Sequence, residues 1–163
     1  MKPAELVALL QDLHRDKLAV FLRREAGARH VASYEFNNTY QYILNRDDEH
    51  LSWIGDALID LGAQADESVE TPAVPSTGKG EARAMAIIEA DARDARGFLA
   101  RWRPRIERVS HARHRKMLEL LIGESAEQLR FFEQALAGRL DLLGRRPEGA
   151  GTGGGVLPAR WVS

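Results

Sequence analysis

The chain has 163 residues, of which 44% are hydrophobic and 29% charged, as in an ordinary soluble domain with one core. The net charge of −1 provides no overall field for nucleic acid, and the absence of cysteine excludes disulfides, iron–sulfur clusters and thiol chemistry. No run of about 18 apolar residues occurs, and the N-terminus lacks the apolar segment of a signal peptide. We therefore expect a cytoplasmic protein with neither a nucleic-acid nor a membrane partner.

Two helical patterns occupy the first part of the chain. One apolar face recurs over residues 3–27 and a second over residues 33–61, both at the spacing of an α-helix. Pro3 suits the first turn of the first helix, and Gly62 is a typical stop signal after the second. We therefore predict helices over these two ranges.

Residues 63–80 lose this periodicity and are interrupted by prolines and glycines, which predicts a long surface connection. Two further helical patterns follow, over about residues 81–105 and 110–143, and Pro104 should kink or end the first of them. No segment alternates with a period of two residues, so we predict no sheet.

The lengths of the connections predict the topology. Short links join the first helix to the second and the third to the fourth, so each pair should form an antiparallel hairpin, whereas the long link can cross a bundle. We predict one all-α domain, residues 1–143, with two antiparallel hairpins and a long crossover. A faint 78-residue repeat agrees with this prediction. In it, Leu51, Trp53, Ala57 and Leu58 correspond to Leu129, Phe131, Ala135 and Leu136.

An acid and a histidine lie three residues apart on the predicted buried face of the second helix. Asp47 and His50 share this stripe with Ile43. Burial of such groups costs on the order of several kcal/mol unless each finds a partner or a metal. The corresponding positions of the repeat hold Ser125 and Gln128, so only the first half keeps an acid–histidine pair.

Residues 44–58, with DDEHLSW at positions 47–53, resemble the Glu-x-x-His helix of the bacterioferritins and rubrerythrins of the ferritin-like superfamily. The likeness of pattern covers roughly residues 3–140, with Asp47 in place of the glutamate and His50 as the histidine. The resemblance implies a ferritin-like bundle that binds two metal ions, usually iron. In that family each hairpin supplies one carboxylate from its first helix and Glu-x-x-His from its second.

The ligand set for such a site is incomplete. The resemblance implies a carboxylate on the first helix, roughly 30 residues before Asp47, but Lys17 lies at the centre of that apolar face. The third helix places Asp91 centrally, and the fourth places Glu124 and Gln128 inward. A complete di-metal site uses about four carboxylates and two histidines. This chain offers three central carboxylates and one central histidine.

In one interpretation the chain binds a metal and is an oxidoreductase that handles oxygen, peroxide or iron. Carboxylate and imidazole ligands favour iron or manganese as the cofactor. The candidate ligands are Asp47, His50, Glu124 and Asp91. Tyr40, on the same face, would then be a redox-active or ligand-orienting phenol, and otherwise a core residue with a satisfied hydroxyl.

In the other interpretation the polar residues satisfy one another without a metal. Lys17 pairs with Asp47, and His50 bonds to Gln128 or Glu124. Such a layer can fix the register of helices while adding little stability. The protein is then a non-catalytic structural or interaction module with a degenerate metal site, and the position of Lys17 favours this interpretation.

The C-terminal residues form a glycine-rich tether, 144–155, followed by a short apolar peptide, 156–163. This layout is similar to that of ferritin-like cargo proteins that enter encapsulin shells, which implies a host shell or another protein partner. A contact with the same bundle, or with a sister subunit of a homo-oligomer, is the alternative. In each case we expect Leu157 and Trp161 to be the docking residues.

Overall fold

The computed structural model describes residues 1–70, 73–76, 78–139 and 142. Within these residues all regular structure is helical, so the all-α four-helix prediction is confirmed. The helices are α1 (Pro3–Ala28), α2 (Tyr34–Asp60), α3 (Gly80–Glu107) and α4 (Ala112–Leu136). None of them combines the length and the apolar composition that crossing a membrane requires.

Glycines in the left-handed backbone conformation end α2 and α4. After α2, the N–H groups of Gly62 (φ 76°) and Ala63 donate to the carbonyls of Ile59 and Leu58, each at 2.9 Å. Gly138 (φ 87°) closes the same motif after α4. In this motif two carbonyls of the last turn find donors, which is why the helix stops there.

Two helix ends differ from the sequence prediction. α4 spans Ala112–Leu136 rather than 110–143, because Gly138 stops it first. α3 continues through Pro104 to Glu107 rather than ending near residue 105. Its last turn is held by Ile106, which is 3% exposed in the core, so packing outweighs the hydrogen bond that the proline removes.

The helices do not contact one another equally. α1 packs mainly on α2, and α3 mainly on α4; smaller contacts join α1 to α3 and α2 to α4. Within the described helices, no close backbone contact joins α2 to α3 or α1 to α4. Helices that follow each other along the chain, α2 and α3, are therefore not neighbours in space.

Two apolar clusters form the core, one toward each end of the bundle. The first joins the early part of α1 and the start of α4 to the later parts of α2 and α3; it includes Leu10, Leu13, Ile54, Leu58, Phe98, Trp102, Leu118 and Leu121. The second joins the opposite halves and includes Tyr40, Ile43, Ile87, Ile88, Ala92, Phe131 and Phe132. Each cluster takes side chains from several helices, so the helices depend on one another for burial.

The connection between α2 and α3 runs between these two clusters. Ala63 and Ala65 pack against the first cluster, and Val74 packs against the second. Near the start of α3, Arg83 Nε donates to the carbonyl of Pro75 at 3.2 Å. The link therefore spans the distance from one end of the core to the other.

Two ion pairs between α1 and α3 are related by the 78-residue repeat. Asp16 accepts from Arg101 at 2.9 Å, and Asp94 accepts from Arg23 at 2.7 Å. Arg101 follows Arg23 by 78 residues, and Asp94 follows Asp16 by the same number. The two halves of the chain therefore contact each other through equivalent positions, as an approximate two-fold axis requires.

Two glycine-to-alanine changes should have opposite effects on stability. Neither Gly62 nor Gly123 has an atom within 4 Å of an added Cβ, so only the backbone distinguishes them. Gly62→Ala places a side chain at positive φ and should lower the free energy of unfolding by about 1 kcal/mol. Gly123→Ala, inside α4, should raise it by about 0.5–1 kcal/mol. Urea denaturation followed by circular dichroism measures both, and effects of the same sign would contradict this account of the helix stop.

Candidate functional site

The carboxylate of Asp47 lies at the centre of a buried polar network between α1, α2 and α4. Its Oδ1 accepts from Lys17 Nζ at 2.7 Å and from Gln128 Nε2 at 2.9 Å, and its Oδ2 accepts from Arg24 Nη1 at 2.7 Å. Arg24 Nη1 also donates to Gln128 Oε1 at 2.9 Å. All four side chains are at most 2% exposed. We call these four residues the Asp47 network.

The charges of this network stabilise one another. Burial by itself raises the pKa of Asp47, but Arg24 and Lys17 outweigh it and lower the pKa to about 2. Burial lowers the pKa of Lys17 to about 8, against the opposing effect of Asp47. Near neutral pH the network therefore holds one carboxylate between two cations. Lys17 Nζ also lies 5.3 Å from the ring centroid of Phe98. The guanidinium carbon of Arg24 lies 5.3 Å from the ring centroid of Phe132.

Arg24 is a member that the sequence analysis missed. It lies seven residues after Lys17, about two helical turns, so both side chains project from the same face of α1. This seven-residue spacing was the feature of the sequence that could have predicted the burial of Arg24. An arginine near the end of a helix is usually solvated, and only the position of Gln128 on α4 shows why this one is buried.

His50 belongs to a second set of contacts beside the Asp47 network. Its Nε2–H donates to Glu124, which also receives two hydrogen bonds from Arg46, at 3.0 and 3.1 Å. Arg46 and Glu124 are themselves 78 residues apart, so they occupy equivalent positions of the repeat. The guanidinium of Arg46 lies 5.5 Å from the ring centroid of Trp53. This set fastens α2 to α4.

The imidazole of His50 is neutral near pH 7. Burial, and then the charge of Lys17, lower its pKa to about 4, and Glu124 offsets only part of this. The other ring nitrogen, Nδ1, is buried without a hydrogen-bond partner, 4.0 Å from Asp47 Oδ1. The histidine is therefore a donor to Glu124 and not a second cation in the core.

Asp91 is bonded to Tyr40 and not to the Asp47 network. The Tyr40 hydroxyl donates to Asp91 Oδ2, so the hydroxyl is satisfied within the core. Burial raises the pKa of Asp91 to about 6, although Tyr40 and Arg24 oppose the rise. Burial likewise raises the pKa of Tyr40 well above its ordinary value.

The structure brings together most of the residues that the sequence singled out. Asp47 and His50 are both 0% exposed, as predicted, and the predicted pair of Lys17 with Asp47 is confirmed. Glu124, rather than Gln128, is the partner of His50. Ser125, which replaces the repeated acid, donates to the carbonyl of Leu121. Leu157 and Trp161 lie outside the described residues.

The residues present do not fit a di-metal centre. Among the described residues, no group of three or more His, Asp or Glu side chains is arranged to hold a metal ion. Both oxygens of Asp47 already accept from cations, and Glu124 is shared between Arg46 and His50. A dication bound here would lie beside two buried cations and would be repelled strongly in this low-dielectric interior.

Comparison of the chain with protein-family models, with curated proteins and with solved structures gave no match in any of the three. The ferritin-like resemblance therefore stays a prediction from the sequence pattern.

Removal of Asp47 should destabilise the protein far more than removal of Lys17. Asp47→Ala leaves two buried cations without a counter-ion and should lower the free energy of unfolding by about 3–5 kcal/mol. Lys17→Met leaves Asp47 bonded to Arg24 and Gln128, and should cost less than about 2 kcal/mol. Urea denaturation provides the comparison, with the exposed Asp48→Ala as the matched control. Similar midpoints for the first two variants would show that Asp47 does not depend on these cations.

Acid should weaken the fold partly through His50. An unfolded histidine binds a proton below about pH 6.5, whereas folded His50 resists it down to about pH 4. The resulting stability is present above pH 6.5 and is lost as the pH falls through this window, by up to about 3 kcal/mol. His50→Gln should remove this slope. Asp91 contributes stability that rises as the pH falls from about 6 to 4, which is the opposite dependence. This contribution is the same in the unmodified protein and in the His50→Gln variant, so it cancels in the comparison. Unfolding free energies at several pH values test this, and parallel curves for the two proteins would rule it out.

Proposed function

We propose that the chain is a ferritin-like bundle in which an internal ion-pair network has replaced the metal site, and that it is a non-catalytic structural or interaction module. The observation that carries the proposal is the bonding of Asp47. This residue stands where the family has the glutamate of Glu-x-x-His, and its oxygens accept from Lys17 and Arg24. Lys17 itself stands where the resemblance implies the carboxylate of the first helix.

The contacts between helices support the topology of this proposal. Gln11, early in α1, donates to the carbonyl of Gln64 beyond the end of α2, whereas the carbonyl of Ala28, at the end of α1, accepts from Asn37 near the start of α2. These contacts fit an antiparallel hairpin. Between α1 and α3, Asp16 pairs with Arg101. Further along α1, Arg23 pairs with Asp94, which lies earlier in α3. These two ion pairs therefore fit an antiparallel arrangement of α1 and α3.

Within the described helices, α2 and α3 make no close backbone contact. This observation distinguishes a simple up-down-up-down bundle from two hairpins joined by a crossover. In a simple up-down-up-down bundle, consecutive helices are neighbours and short loops join them. Here the link between α2 and α3 runs from one apolar cluster to the other. This favours two hairpins joined by a long crossover, as in ferritin-like proteins.

The non-catalytic part of the proposal rests on charge and access. Lys17 and Arg24 are covalently part of the chain, so the carboxylate needs no external ion for neutralisation. The main surface cavities are lined by residues other than Lys17, Arg24, Asp47 and His50. These cavities therefore give a substrate no access to the Asp47 network or to His50.

The interaction part of the proposal rests on the surface. Large apolar side chains are exposed along α2 and α4; Tyr42, Ile59 and Leu120 are 44%, 67% and 56% exposed. Covering such side chains with another protein surface would be favourable, because it removes apolar area from water. A homo-oligomer remains our expectation for this protein.

Metal analysis after growth in iron-rich medium tests the proposal. We expect far less than one iron or manganese ion per chain by mass spectrometry, and the same melting temperature with and without a chelator. The physical reason is that Arg24 and Lys17 already neutralise Asp47. Two bridged ions per chain, or a melting temperature that falls on chelation, would instead support the iron- or manganese-dependent oxidoreductase.

A further inference from the structure

A groove of about 340 Å³ lies between the end of α2 and the start of α4. Its apolar lining comes from Trp53, Ala57, Met117 and Leu120. Leu120 is 56% exposed, and Trp53 and Met117 are partly exposed. A leucine, a tryptophan and a methionine around one concavity form a site for apolar side chains rather than an ordinary solvated surface.

The rim of this groove is acidic on the α2 side. Asp56 and Asp60 line it, and Arg113 lies opposite on α4. Asp60 is only loosely paired with Arg113, at 3.8 Å, and the described residues include no ion-pair partner for Asp56. A ligand that fits would therefore combine apolar side chains with at least one positive charge.

We propose that the groove binds the C-terminal peptide of the same chain, residues 156–163. This peptide lies outside the described residues, and its sequence is VLPARWVS. It carries Leu157 and Trp161 for the apolar lining, and Arg160 as the one charged side chain, which matches the acidic rim. Proline at position 158 disfavours a helix and suits an extended segment lying along a groove.

The tether has the length that this contact needs. Leu142 is buried in the second apolar cluster, which also contains residues near the end of α4. From there to Leu120 the distance is about 25 Å along the helix, at 1.5 Å per residue. The 14 residues 143–156 would reach about 45 Å if fully extended, which is more than this distance. A peptide joined to the bundle by a connection long enough to reach the groove has a high local concentration there.

This intrachain contact goes beyond the proposed function, and its test is independent of metal content. The 163-residue chain contains no cysteine, so pairs of cysteines can be introduced without background. Arg113→Cys at the groove is combined with Ser163→Cys in the peptide. The matched control combines Ser163→Cys with Ala100→Cys, an exposed position on α3.

Under mild oxidation, the groove pair should form an intrachain disulfide at least about tenfold faster than the control pair. Addition of Trp161→Ala or of Leu120→Glu should abolish this difference, because each removes one side of the apolar contact. Leu120 is exposed, so its replacement leaves the core intact, and melting temperatures check that each variant folds.

Two outcomes would overturn the proposal. Equal rates for the groove pair and the control pair would show that the peptide does not bind the groove. Disulfide-linked dimers that form faster at higher protein concentration would show that the groove binds the peptide of a second copy. A metal-free protein with equal rates would leave the proposed function standing while the assignment of the occupant fails.

Discussion

A carboxylate buried in the middle of a helical bundle must be neutralised, and the bonding of Asp47 meets this constraint. An isolated ion in such an interior carries a desolvation penalty on the order of several kcal/mol. Lys17 and Arg24 of α1 and Gln128 of α4 together occupy both of its oxygens. Three of the four helices are therefore tied to a single group, and their relative axial positions are set at that level.

The carboxylates of this region are neutralised by cations of the same chain. Lys17 and Arg24 oppose Asp47, Arg46 opposes Glu124, and His50 is held neutral by burial and by the charge of Lys17. A di-metal centre solves the same problem with mobile cations, which a chelator can remove. Here the cations are side chains of α1, so the polar layer between the two apolar clusters persists without a cofactor. Such a layer can fix the register of helices while adding little stability.

The two halves of the chain contact each other through equivalent ion pairs, whereas the centre is asymmetric. The ion pairs of Asp16 with Arg101 and of Arg23 with Asp94 occupy equivalent positions. At the centre, the acid and histidine of α2 correspond to Ser125 and Gln128 of α4. Gln128 is useful there because its amide donates to Asp47 and accepts from Arg24 at the same time. A neutral histidine also has one donor and one acceptor, but these two nitrogens diverge across the ring, whereas the amide nitrogen and oxygen are bonded to the same carbon.

The amino-acid sequence by itself determined where the helices lie, that Asp47 and His50 are buried, and that Lys17 faces the same interior. These properties follow from periodicity, which is local to each helix and can be counted along the chain. Only the tertiary structure decided that Arg24 is buried against Gln128, that Asp91 bonds to Tyr40, and that His50 selects Glu124. The partner of a buried side chain depends on the rotation and axial level of a second helix. That geometry is set by packing among residues distant in sequence, which no single helix encodes.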